Sequence, residues 1–475
     1  MSRWRSRKRV AIVGGGLAGM AAASVLCRHG FTVELFEQRR QLGGRAGSFL
    51  DPATGELVDH CQHVAMGCCT KFLDFCRRTQ IAGLLRRHRR LHFFDRQGRR
   101  CDIAGWPLLP APLHLAIPLL RFGHLSLGDR IGVMRAMREL ARSPHDDSPD
   151  APTIGQWLHD RRQSDVAIRR FWSVVLVSAL GESLDNASLA AARKVFVDGF
   201  LSHPAAYHVS VPRVPLGELY SKHVAQWLKS HGVTIHLEQA VKQVSGDANA
   251  VTGIALCDGQ ERRFDFVILA VPWTKVRSVL PAEMAGSLRE IDKLDQLHSS
   301  PITGVHLWFD RPITGLPHAV LLERLSQWVF NRGRRGSPGA DDSAHYYQVV
   351  ISASRELAGR TKDDVLDEVL DDLRATWPAA RNARLLRRQI VTQREAVFSV
   401  RPGSDALRPE QKTRVPGLLL AGDWTCTGWP STMEGAVRSG YLAAEAILVS
   451  AGRSTQILAP DLPPSLLARF VTRSR

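Results

Sequence analysis

The stretch RVAIVGGGLAGMAAASVLCRHGFTVELFEQ, residues 9–38, decides the fold. Its opening, RVAIVG, is short, apolar and β-branched, as in a parallel strand buried on both faces. Residues 16–29 predict a helix lined with small residues (Ala18, Ala21, Ala22, Ala23), and Gly30 stands where a helix C-terminus favours glycine. TVELFE, residues 32–37, predicts a second strand ending in an acid. The turn inside this strand–helix–strand unit, Gly14-Gly15-Gly16-Leu17-Ala18-Gly19, reads G-x-G-x-x-G. Gly14 permits the tight turn, Gly16 lets a pyrophosphate approach the backbone, and Gly19 lets the helix lie close on the strand. The helix N-terminus faces the negative phosphates. Glu37, with Gln38 beside it, is placed to accept hydrogen bonds from a ribose. A glycine turn without a ligand would leave that acid unexplained.

Working outward, Gln41-Leu42-Gly43-Gly44-Arg45-Ala46-Gly47-Ser48 follows the second strand closely. Its glycines bring backbone near a ligand, and Arg45 offers a forked cation to phosphate. Far along the chain, Ala421-Gly422-Asp423-Trp424 follows an apolar run, and GWPSTMEGA, residues 428–436, leads into a helix. These motifs resemble those of the flavin amine oxidase and phytoene desaturase superfamily, in which they bind FAD. The resemblance implies that Gly44 and Arg45 approach the FAD. It also implies that Gly422 and Asp423 meet its ribityl chain or pyrophosphate, and that the helix N-terminus at Met433 faces its pyrimidine ring. A helix N-terminus favours the negative charge of a reduced flavin by about 0.3–1 kcal/mol. Val241, in EQAVKQV, matches the position whose backbone meets the adenine. Glu434 reads as a first-turn acid complementing the helix dipole. The implied fold is α/β: a Rossmann-like FAD-binding domain from the discontinuous segments 1–80, 205–285 and 415–450. Residues 81–204 and 286–414 form an α+β substrate and membrane-facing domain, and 451–475 a C-terminal tail.

Between the motifs, residues 71–92 have a basic, helical pattern, and 103–122 are apolar but broken by Pro107, Pro110, Pro112 and Pro118. Residues 125–142, 153–200 and 362–376 predict helices. Strands are expected within 233–272, at 304–310, at 345–352 and at 417–424, with loops at 143–152 and 333–343.

Composition bounds what the chain does. Of 475 residues, 44% are hydrophobic and 23% charged, which excludes a disordered or fibrous protein. Lys plus Arg is 63 against 46 Asp plus Glu, a formal charge of +17 that attracts anionic surfaces. The basic run has no interleaved aromatic platform, so no nucleic-acid partner is expected. Eight cysteines include no CxxC pair. The cluster Cys61, Cys68, Cys69, Cys76 therefore reads as free thiols in a reducing cytosol, and no metal is expected. No uninterrupted apolar stretch reaches the roughly 20 residues of a spanning helix.

Asp59-His60-Cys61-Gln62-His63 with Gly67, Cys68 and Thr70, the segment 300–310 (SPITGVHLWFD), and 211–216 (VPRVPL) narrow the resemblance, to bacterial hydroxysqualene dehydroxylases. Cys61 departs from the glycine usual there. The resemblance implies that reduced FAD replaces an allylic hydroxyl with hydrogen, giving squalene for hopanoid synthesis. A proton must reach the departing oxygen, and bulk water must be kept out. His63 is the expected proton donor, since an imidazole titrates near the working pH; Gln62 and Asp59 are expected to orient it. The flavin's reductant stays open. Transferring about thirty hydrocarbon carbons from water is worth on the order of 20 kcal/mol, so the substrate must come from a bilayer. Arg86, Arg87, Arg89, Arg90, Arg96, Arg99 and Arg100, just before the apolar 103–122 stretch with Trp106, suit a shallow contact with an anionic leaflet. A cytoplasmic protein peripherally bound to the inner face of the cell membrane is expected. A carotenoid-type desaturase would use the same fold with electrons flowing from substrate to flavin. A non-enzymatic isoprenoid-binding escort protein would not need Glu37, Arg45 and Asp423 together.

Overall fold

In the computed structural model, which describes residues 7–52, 54–144, 146–334, 344–453 and 456–472, the strand Arg9–Val13 is the middle of a five-stranded sheet. Thr32–Glu37 flanks it on one side, followed by Thr234–Leu237; Phe266–Leu269 and Leu418–Leu420 follow on the other. Every pairing is parallel, with Val10 opposite both Val33 and Phe266. The central strands are buried on both faces, which is why their sequences do not alternate. The helix Leu17–Leu26 packs against the helix Met433–Ser450. The two pack so tightly that a Cβ on Gly440 would stand 2.2 Å from the carbonyl oxygen of Ala18. The small residues read from the sequence serve this crossing. A three-stranded antiparallel sheet, Val241–Gly246, Val251–Leu256 and Glu261–Arg263, adjoins the parallel one.

The second large element is a seven-stranded sheet in the order Leu385–Phe398, Ser299–Phe309, His345–Ser352, Trp328–Arg334, His318–Leu321, Arg90–Phe94, Arg100–Ala104. Lys362–Thr376 packs on it through Val365, Leu366, Val369 and Leu373, the apolar stripe of an amphipathic helix. Helices Leu127–Arg142, Ser173–Leu180 and Leu189–Phe196 contribute to the main apolar core.

One expectation changes. The basic 71–92 segment is a helix only over Thr70–Arg78; Leu85–His88 and Arg90–Phe94 are strands. Its arginines serve that structure: Arg90 and Arg100 meet Asp102 at 3.5 and 2.7 Å, and Arg99 meets Asp95 at 2.7 Å. Within 103–122 the backbone leaves a strand at Ala104 and forms the helix Leu113–Leu120. The C-terminal segment folds back: Asp461 accepts from Thr70 Oγ1 at 2.6 Å and Lys71 Nζ at 2.8 Å, and the helix Leu466–Thr472 packs on 127–142. The expected loop at 333–343 falls almost wholly outside the described residues. Among the described residues no helix is long and apolar enough to cross a membrane.

Candidate functional site

The nucleotide motifs converge at the C-terminal edge of the parallel sheet, where open α/β sheets bind their ligands. Gly14 has φ +113°, and a Cβ there would stand 2.4 Å from Ala270 O. Gly19 is equally constrained, its absent Cβ 2.1 Å from Gly14 O, so helix and turn touch backbone to backbone. Gly16 is different. It is the N-cap of the helix with φ −74°, and nothing lies within 4 Å of an added Cβ. Its open side lines a cavity of about 1070 Å³. Gly15 N–H donates to Glu37 Oε2 at 2.8 Å, and Arg39 N–H to Oε1 at 2.9 Å. These bonds hold a buried carboxylate on the cavity wall with acceptor capacity to spare.

Gly43 N–H donates to Gly15 O at 2.9 Å, stitching the second glycine pair to the first turn. Arg45 then forms an ion pair with Asp423, 378 residues away in the chain, and donates to Ala396 O at 3.1 Å. Asp423 also accepts from the Ser431 hydroxyl. Gly422 N–H donates to Ser439 Oγ at 2.8 Å, fixing the strand end to the 433–450 helix. That helix opens at Met433, and its N-cap Thr432 accepts from Gly435 N–H at 3.1 Å. Gly15 and Gly19 stand behind the cavity wall; Gly14, Gly16, Glu37, Gln38, Gly44, Arg45, Val241, Gly422, Asp423 and Met433 all line the one cavity.

FAD fits this lining. A glycine face is open where a side chain would sit, an acid is fixed for a ribose, and an 18-residue helix directs its positive end at the cavity. Gln62 Oε1 and Gln239 Oε1, both on the wall, are buried without a hydrogen-bond partner among the described residues, so donors are wanted there. Residues 17–448 match the family described as flavin containing amine oxidoreductase. The chain belongs to that family. Among similar proteins, the hydroxysqualene dehydroxylase of Rhodopseudomonas palustris is 28% identical over 94% of this chain and 100% of its own. The zeta-carotene desaturase of a Synechocystis strain is 25% identical over 95% and 99%. The structure of cyclohexylamine oxidase from Brevibacterium oxydans shares the fold, with TM-score 0.68 and 19% identity over 94% of this chain and 100% of that one. The cofactor is FAD, and the protein is a flavin oxidoreductase of the amine oxidase and desaturase superfamily.

One residue of this site carries no signal in the sequence, and another takes a different role from the one its sequence position suggests. Arg408 is buried, and its Nη2 donates to the carbonyl oxygens of Thr425 and Trp429, each at 2.7 Å, and of Asp423 at 3.1 Å. One guanidinium thus gathers the loop that carries Asp423. A single arginine among many has no spacing that would announce this. Glu434 was read as complementing its own helix dipole. Instead it is wholly buried, accepts from the backbone N–H groups of Lys71 and Phe72 at 2.9 and 2.8 Å, and pairs with Arg438 at 2.7 Å. It caps the neighbouring helix 70–78; burial raises its carboxyl above the usual range.

Of the expected acid–base group, Gln62 and His63 line the cavity. His63 Nδ1 lies 2.9 Å from Cys61 O; a carbonyl only accepts, so Nδ1 carries the hydrogen and Nε2 holds the lone pair. Burial pushes its pKa down, which leaves a neutral imidazole at neutral pH. Gln62 Nε2 donates to His63 O at 2.9 Å and so fixes backbone rather than the ring. Asp59 accepts from Ser48 Oγ at 2.6 Å and Leu216 N–H at 2.7 Å, off the cavity wall. Among the described residues no three His, Cys, Asp or Glu side chains form a group suited to a metal ion, and the eight cysteines are free thiols.

Proposed function

We propose that the protein uses reduced FAD to remove the hydroxyl of a long isoprenoid alcohol, hydroxysqualene, giving squalene. One observation carries this reading. The cavity that begins at the nucleotide motifs runs on into a chamber walled by hydrocarbon side chains, among them Leu91, Phe93, Ile103, Leu119, Phe171 and Val174. Small polar amines have no use for such a chamber, whereas a folded thirty-carbon chain does. The similarity to the Rhodopseudomonas dehydroxylase over nearly the whole chain supports the choice of substrate.

Bound FAD supplies the hydride. The chain's own residues would bind and orient it: Glu37 would take the ribose, the Gly16 face and the helix N-termini the phosphates, and the Arg45–Asp423 pair holds the loop that carries Asp423 against the cavity. The apolar walls exclude water, which would otherwise capture the allylic cation left as the hydroxyl departs.

The substrate enters from a bilayer in this reading. Leu113 both lines the cavity and is 44% exposed, and the proposed entrance lies on its side of the molecule. Around it Leu108 is 88% exposed and Leu120, Leu127 and Ile131 are 41–62% exposed; Leu466 and Phe470 on the C-terminal helix are 75% and 69% exposed. An apolar rim of this kind at the proposed entrance suits shallow insertion at the inner face of the cell membrane. The headgroup contact expected of Arg90, Arg99 and Arg100 is weakened by their acidic partners.

The test is product mass. Anaerobic incubation of the reduced protein with hydroxysqualene is expected to yield squalene, and the oxidised protein is expected to leave phytoene unchanged. Desaturated phytoene, with no squalene in the first arm, would establish the opposite electron flow and the desaturase reading, which the 25% identity to zeta-carotene desaturase motivates.

A further inference from the structure

The ring N–H of His63 is held by Cys61 O, which turns attention to the other polar groups of the chamber as the source of the proton for the departing oxygen. The chamber wall holds one ion pair that the nucleotide motifs do not use. Lys194 Nζ lies 2.7 Å from Asp198 Oδ2, both side chains line the cavity, and neither is fully covered by protein. The ammonium sits 4.6 Å from the ring centroid of Trp429, a residue of the loop that carries Asp423 and Ser431. The pair therefore stands where the flavin segment meets the hydrocarbon chamber. The backbone is shaped to put it there. Lys194 lies in the last turn of an α-helix, Leu189–Phe196, and Asp198 lies four residues on, in the π turn Val197–Leu201 that follows. π turns cost hydrogen-bond geometry and concentrate at functional sites. The wider helix turn presents Asp198, Gly199 and Phe200 to the cavity along with Lys194.

Resting on the dehydroxylation reading, we infer that Lys194 and Asp198 are the recognition site for the substrate's hydroxyl, and that Lys194 is its proton donor. An ammonium has three N–H donors, of which Asp198 takes one, and a carboxylate has acceptor capacity beyond one bond. A single hydroxyl satisfies both, accepting from Lys194 and donating to Asp198. A pure hydrocarbon satisfies neither and would strip water from an ion pair without replacing it. The pair thus selects an isoprenoid alcohol over a hydrocarbon. In the reaction, the Lys194 proton passes to the hydroxyl oxygen as the C–O bond breaks, and that bond's electron pair leaves with water. The carbon takes the hydride supplied by reduced flavin, which becomes oxidised. Lys194, left neutral, regains its proton from solvent with Asp198 holding it in place.

The holoenzyme and its Lys194→Met, Lys194→Arg and Asp198→Asn variants test this, with melting temperature and flavin content confirming folding. Binding of hydroxysqualene and of squalene is read from Trp fluorescence, since Trp429 borders the pair. The wild type is expected to bind the alcohol more tightly. Lys194→Met is expected to lose that preference, keep squalene binding, and reoxidise its flavin at least about 100-fold more slowly in an anaerobic single turnover. Lys194→Arg should restore alcohol binding but not the full rate, because a guanidinium gives up its proton poorly. Asp198→Asn covers the case in which Lys194→Met fails to fold, with a loss of the same binding preference expected. A folded, flavin-loaded Lys194→Met with unchanged alcohol preference and rate overturns this inference and leaves the dehydroxylation reading standing. A wild type that turns over no hydroxysqualene overturns the reading itself.

Discussion

Gly16 and Gly19 belong to one motif but answer to different constraints, and substitution separates them. A Cβ at Gly16 meets no protein atom within 4 Å, and its φ of −74° is open to any residue. Gly16→Val should therefore leave the apoprotein folded. The valine loses only about 1 kcal/mol as a poorer N-cap than glycine, a shift of a few degrees in melting temperature at most. It does fill the open space beside the helix N-terminus that the proposed binding mode gives to the pyrophosphate. Losing two charge-assisted N–H bonds, at about 1.5 kcal/mol each, weakens FAD by about 3 kcal/mol, or about 100-fold. Gly19→Val instead drives a Cβ onto Gly14 O, 2.1 Å away, and should destabilise the apoprotein itself. The assay is FAD titration by flavin fluorescence quenching, beside circular dichroism melting of both apoproteins. A Gly16→Val protein with wild-type FAD affinity, or one that unfolds without cofactor, refutes the assignment of Gly16 to the phosphate cradle.

Arg408→Met orphans three loop carbonyls, at about 1–3 kcal/mol each where they stay buried; purified protein should show a 450 nm flavin absorbance far below one per chain, and full loading would contradict the role given to that arginine. Leu108→Asp with Phe470→Asp removes two exposed apolar groups of the proposed membrane contact, worth about 1.5–3 kcal/mol each if inserted. Sedimentation with anionic liposomes should fall at least tenfold at unchanged flavin content, and undiminished or absent binding would contradict the proposed membrane contact. Burial holds His306 and His318 near 3 and His60 near 4. An unfolded histidine titrates near 6.5, so below that pH the unfolded chain takes up protons that the folded chain refuses. Stability is then complete above pH 6.5 and falls as pH drops toward 4, by about 1.4 kcal/mol per pH unit for a fully buried ring. Urea unfolding of His306→Gln should show a shallower decline between pH 6 and 4, and an unchanged slope would count against burial of the neutral ring.

The cofactor half of the protein was legible because its constraints are local. A phosphate cradle needs glycines at fixed offsets, and an acid must end the next strand. Both requirements lie within residues 9–38, and the structure brings Glu37, Arg45 and Asp423 to one cavity. What failed to show was set by distant partners. The basic 71–92 segment carries helical periodicity, but Leu85–His88 pairs with Val209–Pro212 and Arg90–Phe94 with Arg100–Ala104. Strand pairing overrode the local preference. Arg408 and Glu434 act on backbone groups that only the fold brings near them, and the Lys194–Asp198 pair has ordinary i, i+4 spacing whose place on the cavity wall only the fold sets.

The most direct test of the account is one anaerobic turnover in heavy water. The protein is reduced photochemically in D₂O, where the hydrogen on flavin N5 exchanges with solvent, and is then mixed with hydroxysqualene. The account predicts oxidised flavin reappearing in step with squalene that carries one deuterium. Unlabelled squalene, or flavin that stays reduced while the alcohol is recovered intact, would contradict it.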